Sequence, residues 1–364
     1  MRLDFLSFGG MILVWLLLFL SGCQTTRPAT TADPSQGWQV APSVEPYADS
    51  EQLAILDQAI TDNYPTINSM VIVRDGYIIF EGYYNGTHAE TQQAIFSITK
   101  SVLSMLVGIA IDQGLLEGVD QPVGDFLVDS AAGENSEPTT LEALLTMTAG
   151  LDDATTFPAI RGCLATSSEW RPCIAEVVQT HAASNNVQTY AAPAQFLYSE
   201  SAAHLLSIIL SDVSGGSALD FAEETLFQPL SIEPQFWEAD PQGHNWGGYG
   251  LRMTTRDLAK LGYLYLNAGQ WGDAQLVSAD WIAQSTRKQR DGGPPLGVGY
   301  GYLWWVPTVG EHDAYAAFGR GGQLLLVIPE LDTVVVITAA PDVVAPNLLQ
   351  LLERVVVPPL ESRS

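Results

Sequence analysis

The sequence predicts an α+β domain: one antiparallel sheet built from both ends of the chain, flanked by helices, with a mostly helical region inserted. Patterns typical of strands occur at Met70–Tyr84 and again after Gly292, whereas residues 138–266 are mostly helical with intervening loops. The composition agrees with a globular fold, because 47% of the 364 residues are hydrophobic and 15% are charged.

The first elements are marked by turn and cap residues. Met70–Tyr84 is predicted to form a hairpin, because β-branched and aromatic residues flank Asp75-Gly76, a strong turn signal. A helix follows that begins near Ser97 and is closed by Gly114.

Strands return in the last part of the chain. After Gly292, "VGYGYLWWV" alternates between polar and apolar residues, and "GGQLLLVIP" and "DTVVVITAA" are apolar and β-branched. The residues Pro329–Asp332 are expected to turn the last two strands into a hairpin.

The charge balance excludes one class of partner. The chain has 15 basic and 41 acidic residues, which gives a formal net charge of −26. Such a chain repels phosphate backbones, so we expect no nucleic-acid partner. Its five histidines are scattered and no Cys/His spacing is typical of zinc, so we expect no metal and no organic cofactor.

Residues 1–22 are typical of a targeting signal. Arg2 precedes an apolar run, Phe5–Leu20, and "LSGC" ends at Cys23. This pattern resembles a bacterial lipobox, which implies that Cys23 is lipidated and becomes the mature N-terminus. We therefore expect a lipid-anchored protein of the bacterial cell envelope, with Gln24 favouring the outer membrane and the lipid as the only membrane contact. An ordinary signal peptide cleaved nearby, or an uncleaved anchor, is the alternative.

Two further features fit an exported protein. Residues 23–49 are rich in Thr, Pro, Ala and Ser and are predicted to form a flexible tether, which leaves 50–364 as the folded domain. Cys163 and Cys173, separated by nine residues in a loop-rich stretch, are expected to form a disulfide outside the cytoplasm. Two free thiols are the alternative.

One of only three lysines stands at the start of a helix that is apolar on nearly all sides. Lys100 lies three residues after Ser97, so the two side chains share a helix face and Lys100 leans back over Ser97. Poor solvation and the helix dipole are both expected to lower the pKa of Lys100, and a neutral amine beside a hydroxyl is a general base. Alternatively, Ser97 only caps the helix and Lys100 extends to solvent.

A second S-x-x-K occurs at Ser285–Lys288. It lies in the polar, basic stretch "AQSTRKQRDGG", so we expect a solvated helix face there.

Three motifs in order resemble those of the serine β-lactamase and penicillin-binding-protein superfamily. "FSITKSV" resembles its nucleophile motif. Tyr198-Ser199-Glu200 stands in the place of Tyr-x-Asn, and Arg320-Gly321-Gly322 in the place of Lys-Thr-Gly or its His/Arg variants. The surrounding text, such as "TTLEALLTMTAGL" and "GGYGLRMTTRDLAKLGYLYLNAGQW", is similar to the class C β-lactamase-like branch. The resemblance covers about Leu53–Ala340 and implies a β-lactamase/transpeptidase-like fold.

The resemblance implies a role for each motif residue. Ser97 is the nucleophile that forms an acyl-enzyme, and Lys100 and Tyr198 relay its proton, with Tyr198 as the base in this branch. The backbone N–H groups of Ser97 and Gln323 form the oxyanion hole.

The third motif is expected to bind the substrate. Arg320 presents a positive charge to the substrate or to Tyr198, and Gly321 and Gly322 let the substrate backbone approach the edge of a strand. Taken singly, the tyrosine is more often a core residue than a catalyst and the glycines more often form a bulge, and the order and context of the three motifs reverse that preference.

Glu200 departs from the family pattern, which has an Asn that donates to a substrate amide carbonyl. A carboxylate cannot donate, so Glu200 would repel that group, or pair instead with Lys100 or Arg320. Together with Arg320, this favours the branch of esterases and 6-aminohexanoate-dimer-hydrolase-like hydrolases, acting on a small-molecule ester or amide. The alternatives are β-lactamase or D-Ala-D-Ala carboxypeptidase activity, and a non-catalytic lipoprotein that binds peptidoglycan or a partner.

Four aromatic residues near the motifs have two interpretations. They either line an acyl pocket or pack in the core, and packing is the more common use of any one of them: Trp246, Tyr249, Tyr300 and Trp304.

Overall fold

The computed structural model describes residues 32–127, 139–184, 195–233, 236–341 and 347–362. Its helices are α1 (Ser50–Asn63), α2 (Ile98–Asp112), α3 (Leu141–Leu145), α4 (Thr156–Thr166), α5 (Trp170–Ser184), α6 (Glu200–Ser214), α7 (Ala218–Ala222), α8 (Thr255–Leu266), α9 (Ala279–Thr286), α10 (Leu348–Leu351) and α11 (Val357–Glu361). Its strands are β1 (Gln39–Val40), β2 (Ile67–Arg74), β3 (Tyr77–Tyr83), β4 (Gln93–Ala94), β5 (Arg252–Met253), β6 (Gln270–Trp271), β7 (Ala274–Gln275), β8 (Gly299–Tyr300), β9 (Trp305–Val306), β10 (Thr308–Val309), β11 (His312–Asp313), β12 (Tyr315–Gly319), β13 (Gln323–Ile328) and β14 (Thr333–Ala339).

An eight-stranded sheet forms the centre of the domain. Its strand order is β1-β3-β2-β14-β13-β12-β9-β8, so strands from both ends of the chain meet where β2 pairs with β14. The predicted α+β fold is confirmed. The sheet is mixed rather than wholly antiparallel, because β1 runs parallel to β3.

Turn residues explain the two hairpins at the centre of the sheet. Asp75 and Gly76 have φ angles of 49° and 78°, the left-handed backbone that a tight hairpin turn requires. Pro329–Leu331 form a short 3-10 turn, and Asp332 follows it with a φ of 49°. Both hairpins lie where the sequence predicts them.

Helices cover both faces of the sheet. Side chains alternate between the faces along each strand, so Met70 and Ile72 pack against α1 and the C-terminal helices. Val71 and Val73 lie on the opposite face, in the core that contains α2, α6 and α8. The α8 helix thus belongs to the layer on the sheet, although it falls within the predicted helical region 138–266.

The α2 helix is buried on all sides. Every residue from Ile98 to Ala110 is buried, as expected of a helix without a polar face. Gly108 is needed for this packing, because a Cβ at that position would overlap the ring of Trp281. The helix ends before Gly114, whose φ of 72° is the left-handed conformation of a helix stop.

The predicted tether over 23–49 is wrong for residues 32–49, which pack on the domain. β1 extends the sheet, and Tyr47 and Ala48 are buried. The indole of Trp38 donates to the carbonyl oxygen of Arg256 at 3.1 Å. Composition alone predicted a tether, but these side chains bury enough apolar surface to hold the segment. Residues 23–31, with Cys23, lie outside the described residues.

The stretch "VGYGYLWWV" is a hairpin and not one strand. β8 and β9 pair through Tyr300 and Trp305, and the N–H of Gly301 donates to the carbonyl oxygen of Trp304 at 2.8 Å. Leu303 has a φ of 61° inside the turn, which reverses the chain.

In the helical region a disulfide between Cys163 and Cys173, whose Cα atoms lie 5.8 Å apart, joins α4 to α5.

Within the described ranges, no single helix has the length and apolar character to span a membrane. One pair of helices bent by 71°, Glu200–Ser214 with Ala218–Phe227, meets those criteria by length and composition only.

Candidate active site

Ser97 lies at the N-terminus of α2, and its hydroxyl forms no hydrogen bond with the helix backbone. It occupies the capping position, yet its side chain makes no capping hydrogen bond. The preceding Phe96 has a φ of 49°, a strained conformation for an aromatic residue that is typical of functional sites. The half-buried Ser97 Oγ instead accepts a hydrogen bond from Lys100 Nζ at 3.2 Å. The alternative that Ser97 is only a cap is therefore wrong.

Lys100 is buried and its amine is saturated with acceptors. The residue is 1% exposed, so it does not reach solvent. Its Nζ donates to Ser97 Oγ, to Glu200 Oε1 at 2.6 Å and to the carbonyl oxygen of Gly248 at 3.0 Å. Three acceptors match the three donors of an ammonium group.

The expected lowering of the Lys100 pKa is wrong in direction. Burial does act to lower the pKa, but the oxygen of Tyr198 and the carboxylate of Glu200 outweigh it, and the pKa is raised above its usual 10.5. Lys100 therefore stays protonated at neutral pH, where it supplies a positive charge rather than a base.

Glu200 is held at the start of α6 by Asp153. The carboxylate of Asp153 accepts from the N–H groups of Glu200 at 2.6 Å and Ser201 at 3.0 Å, and from the hydroxyl of Ser199 at 2.9 Å. An acidic side chain at a helix N-terminus also complements the helix dipole. Asp153 thus fixes the residue that pairs with Lys100, and its position next to "TAGLD" gave no signal for this role.

Of the partners that the sequence left open for Glu200, the structure selects Lys100. Its Oε2 is buried and accepts no hydrogen bond from any described residue. It lies against Gly248, where a Cβ would overlap it. The assignment of Glu200 to substrate contact is revised accordingly: its carboxylate is engaged by the buried lysine.

The loop that carries Gly248 is pinned to α6. Gly247 packs so closely on Ala203 that a Cβ would overlap the Ala203 carbonyl oxygen. Ser207 Oγ donates to the carbonyl oxygen of Asn245 at 2.6 Å. These contacts hold the Gly248 carbonyl toward Lys100.

Hydrogen bonds from both chain neighbours of Tyr198 to Met147 fix the position of the tyrosine. The N–H of Leu197 donates to the carbonyl oxygen of Met147 at 2.8 Å, and the N–H of Ser199 to its sulfur at 3.3 Å. Lys100 Nζ lies 4.8 Å from the centre of the Tyr198 ring. The structure thus brings Ser97, Lys100 and Tyr198 together, and it explains the "TMTAGL" stretch as the support for the tyrosine.

Aromatic rings form a wall beside Tyr198. The rings of Tyr198 and Trp305 are stacked with centres 5.7 Å apart, and Tyr300 meets Trp305 edge-on at 4.7 Å. Burial, with smaller contributions from Tyr198 and Glu200, raises the pKa of Tyr300 well above 10. Trp304 is fully buried and stacks on Tyr265, and Tyr300 is 1% exposed, so these two of the four aromatic residues belong to the core.

The third motif forms the turn between β12 and β13. Arg320 is exposed, and Gly321 and Gly322 have φ angles of 81° and 102°. The end of β12 lies next to the nucleophile, because a Cβ on Gly319 would overlap the carbonyl oxygen of Ile95. The glycines therefore permit the turn that brings this strand end to Ser97.

Gln323 is a wrong choice for the oxyanion hole. It is 1% exposed and lies opposite Gly319 in a strand with neighbours on both edges. Its side-chain amide is also occupied, donating to Ala339 at 2.7 Å and accepting from the Ala339 N–H at 3.0 Å. A backbone N–H inside a sheet cannot turn toward a substrate, whereas the end of β12 beside Ile95 can.

The second S-x-x-K copy lacks this arrangement. The α9 helix ends at Thr286, between Ser285 and Lys288. Lys288 pairs with Asp291 at 2.6 Å, and Ser285 Oγ donates to the carbonyl oxygen of Ile282 at 3.2 Å. Ser285 is buried, so the expected solvated face holds for Lys288 only.

Two further residues escaped the sequence analysis. Arg161 lies over the rings of Phe157 and Trp246, with its guanidinium carbon 5.9 and 5.7 Å from their centres. Trp246 in turn stacks on Tyr249, with ring centres 5.6 Å apart. In the sequence, Arg161 is a single arginine in α4 with no motif around it, so the cluster could not be predicted. Among the described residues, no group of three or more His, Cys, Asp or Glu could hold a metal ion.

Comparison with known proteins places this geometry in a family. The Beta-lactamase family matches residues 60–347. The 6-aminohexanoate-dimer hydrolase of Paenarthrobacter ureafaciens is 24% identical over 343 residues, covering 90% of this chain and 86% of that protein.

Solved structures show the same fold. The octameric penicillin-binding protein homologue from Pyrococcus abyssi has a TM-score of 0.62 at 21% identity, covering 83% of this chain and 75% of that one. A hydrolase with promiscuous acyltransferase activity has a TM-score of 0.58 at 19% identity, covering 80% and 93%. The family match spans most of the chain, and the chain therefore belongs to the Beta-lactamase family of hydrolases, with the β-lactamase/transpeptidase-like fold.

Proposed function

We propose that this protein is a serine hydrolase that cleaves a small-molecule ester or amide through a covalent acyl-enzyme at Ser97. One observation carries the proposal: the Ser97 hydroxyl makes no capping bond and is held by Lys100 Nζ at 3.2 Å, on a strained turn. A hydroxyl kept free of its helix beside a fixed cation is arranged to react.

The charge of Lys100 supports the following proton transfers. Because the pKa of Lys100 is raised, the lysine remains an ammonium, and Tyr198 takes the Ser97 proton as Oγ attacks the carbonyl carbon. The cation stabilises the negative charge on Tyr198. When the tetrahedral intermediate collapses, the bond to the leaving oxygen or nitrogen breaks and Tyr198 returns the proton to it. Water, deprotonated by Tyr198, then attacks the acyl carbon. The bond from that carbon to Ser97 Oγ breaks, the acid leaves, and Tyr198 returns the proton to Ser97 Oγ.

The oxyanion requires two donors. The N–H of Ser97, at the positive end of α2, is one of them, and no described residue accepts a hydrogen bond from it. We place the second donor at the end of β12, beside Ile95, in place of Gln323.

The substrate class follows from the Lys100–Glu200 pair. A β-lactam or peptide needs a donor for its side-chain amide carbonyl, and Glu200 supplies none. A simple ester has no such carbonyl. The relative that hydrolyses the 6-aminohexanoate dimer supports linear amides as a second substrate type.

A substrate panel tests this function. We expect the purified protein to hydrolyse 4-nitrophenyl butyrate and to be labelled by a fluorophosphonate. Nitrocefin should react at least about 10-fold more slowly in kcat/KM, because its side-chain amide carbonyl finds no donor at Glu200 and an unpaired carbonyl costs about 1–3 kcal/mol. Faster hydrolysis of nitrocefin would favour a β-lactamase, and absence of both turnover and labelling would favour a peptidoglycan- or partner-binding lipoprotein.

We also propose a lipid anchor at Cys23 in the bacterial cell envelope. The support is "LSGC" after an apolar run. Cys23→Ser should abolish incorporation of labelled palmitate in a bacterial host. Unchanged labelling of that variant would contradict the anchor.

A further inference from the structure

Arg161 is a cation beside the active site that has no acidic partner among the described residues. It is exposed on α4, and within the described part of the chain it forms no ion pair. Its guanidinium rests on the rings of Phe157 and Trp246 instead.

The cluster around Arg161 is continuous with the catalytic residues. Trp246 and Tyr249 are stacked with an interplanar angle of 11°. Tyr249 directly follows Gly248, whose carbonyl oxygen accepts from Lys100. Burial raises the pKa of Tyr249 while the charges of Arg161 and Lys100 oppose the rise, so both cations act on one ring.

A disulfide and a further ring support Arg161 and the aromatic rings beneath it. Arg161 lies two residues before Cys163, whose disulfide to Cys173 joins α4 to α5. The stack also includes the ring of His204, 4.1 Å from Trp246. A guanidinium held on a fixed aromatic surface loses less side-chain entropy when it binds an anion.

Two carboxylates act on the Tyr249 ring together with Arg161, those of Glu200 and Glu238, and among the described residues neither forms an ion pair with Arg161. The carboxylate of Glu200 is engaged by Lys100 at 2.6 Å. By contrast, Arg171 on α5 lies over Trp170 in the same way but is bonded to Asp212 at 2.6 Å. Arg161 thus has the arrangement of a ligand-binding arginine, and Arg171 that of a structural one.

The position of Arg161 selects one side of the substrate. Tyr198 must reach the leaving group to return its proton, so the leaving group lies beside the Tyr198–Trp305 wall. The stack of Tyr249 and Trp246, which leads from Gly248 to Arg161, is then available for the acyl group.

We propose that Arg161 binds a carboxylate at the far end of the acyl group, so that the preferred substrates are esters or amides of dicarboxylic acids. This inference rests on the proposed function. Arg161 would hold the carboxylate by a bidentate, charge-assisted hydrogen bond while the acyl chain lies on the aromatic stack.

Three esters test the subsite: mono-4-nitrophenyl adipate, the neutral 4-nitrophenyl hexanoate, and 4-carboxyphenyl hexanoate, which carries its charge on the leaving group. We expect the wild type to favour the adipate over the neutral ester in kcat/KM. Arg161→Gln should reduce that preference by about 10-fold or more, mainly through KM, and Arg161→Lys should restore part of it. Arg171→Gln, the matched control, should leave the preference unchanged.

The outcomes separate the subsite from the proposed function. Equal use of adipate and hexanoate esters by the wild type and Arg161→Gln would overturn the subsite while leaving the hydrolase intact. An effect of Arg161→Gln on the 4-carboxyphenyl ester alone would overturn the acyl-side placement. Persistence of all three hydrolyses in Ser97→Ala would instead overturn the proposed function.

Discussion

Ser97→Ala is expected to lower kcat for ester hydrolysis by roughly 10³-fold or more and to abolish covalent labelling by a fluorophosphonate. The substitution removes the Ser97 Oγ, which accepts a hydrogen bond from Lys100 Nζ at 3.2 Å and is the proposed nucleophile. Since Ser97 makes no capping bond, the start of α2 should be kept, although Lys100 loses one of its three acceptors. Steady-state kinetics and gel fluorescence of the labelled protein measure both effects.

Ser285→Ala is the matched control. Ser285 starts the second S-x-x-K, but the helix ends before Lys288, which pairs with Asp291. We expect wild-type kcat and labelling from this variant. If Ser285→Ala lost activity and Ser97→Ala kept it, the choice between the two copies would be wrong.

Local signals were enough to predict the central sheet. Asp75-Gly76 and Pro329–Asp332 favour tight turns whatever surrounds them, and the hydrophobic runs beside them form β2, β3, β13 and β14. The packing of residues 32–49 was missed because Thr-, Pro- and Ala-rich composition predicts a tether. The burial of Tyr47 and Ala48 depends on the C-terminal helices, which are distant in sequence.

The candidate site was predictable where it depends on spacing within one helix. Ser97 and Lys100 are one turn apart, so their contact follows from helical geometry. The Lys100 pKa was not predictable in this way, because the groups that raise it, Tyr198 and Glu200, lie about 100 residues further along the chain. The error at Gln323 has a similar origin, since the motif does not reveal which residues of a hairpin lie inside the sheet.

Glu200→Gln is expected to destabilise the protein by about 3–5 kcal/mol at pH 7 and to reduce kcat. Glutamine can still accept a hydrogen bond from Lys100, but the substitution removes the charge of one of the two groups that offset burial, Tyr198 and Glu200. With Tyr198 alone opposing burial, we expect the Lys100 pKa to fall below its unfolded value and the ammonium to become costly. Tyr198 then loses the cation that supports it as the base.

The pH dependence distinguishes this explanation from a general packing defect. In the wild type the Lys100 pKa is raised above 10.5, so the stability it contributes is fully present below pH 10.5 and is lost only as the pH rises through the folded value. In Glu200→Gln the folded pKa falls below the unfolded one. The unfolded chain then binds more protons, and stability rises with pH up to about 10.5.

The stability deficit of Glu200→Gln should therefore be largest near pH 7 and narrow toward pH 10, in chemical denaturation at the two pH values. Glu81→Gln is the matched control, because Glu81 pairs with Arg256 at 2.6 Å and an arginine stays protonated at both pH values. Its deficit should remain constant. A deficit of Glu200→Gln that also stays constant would mean that the charge of Lys100 does not depend on Glu200, and Lys100 would again be a candidate for the base.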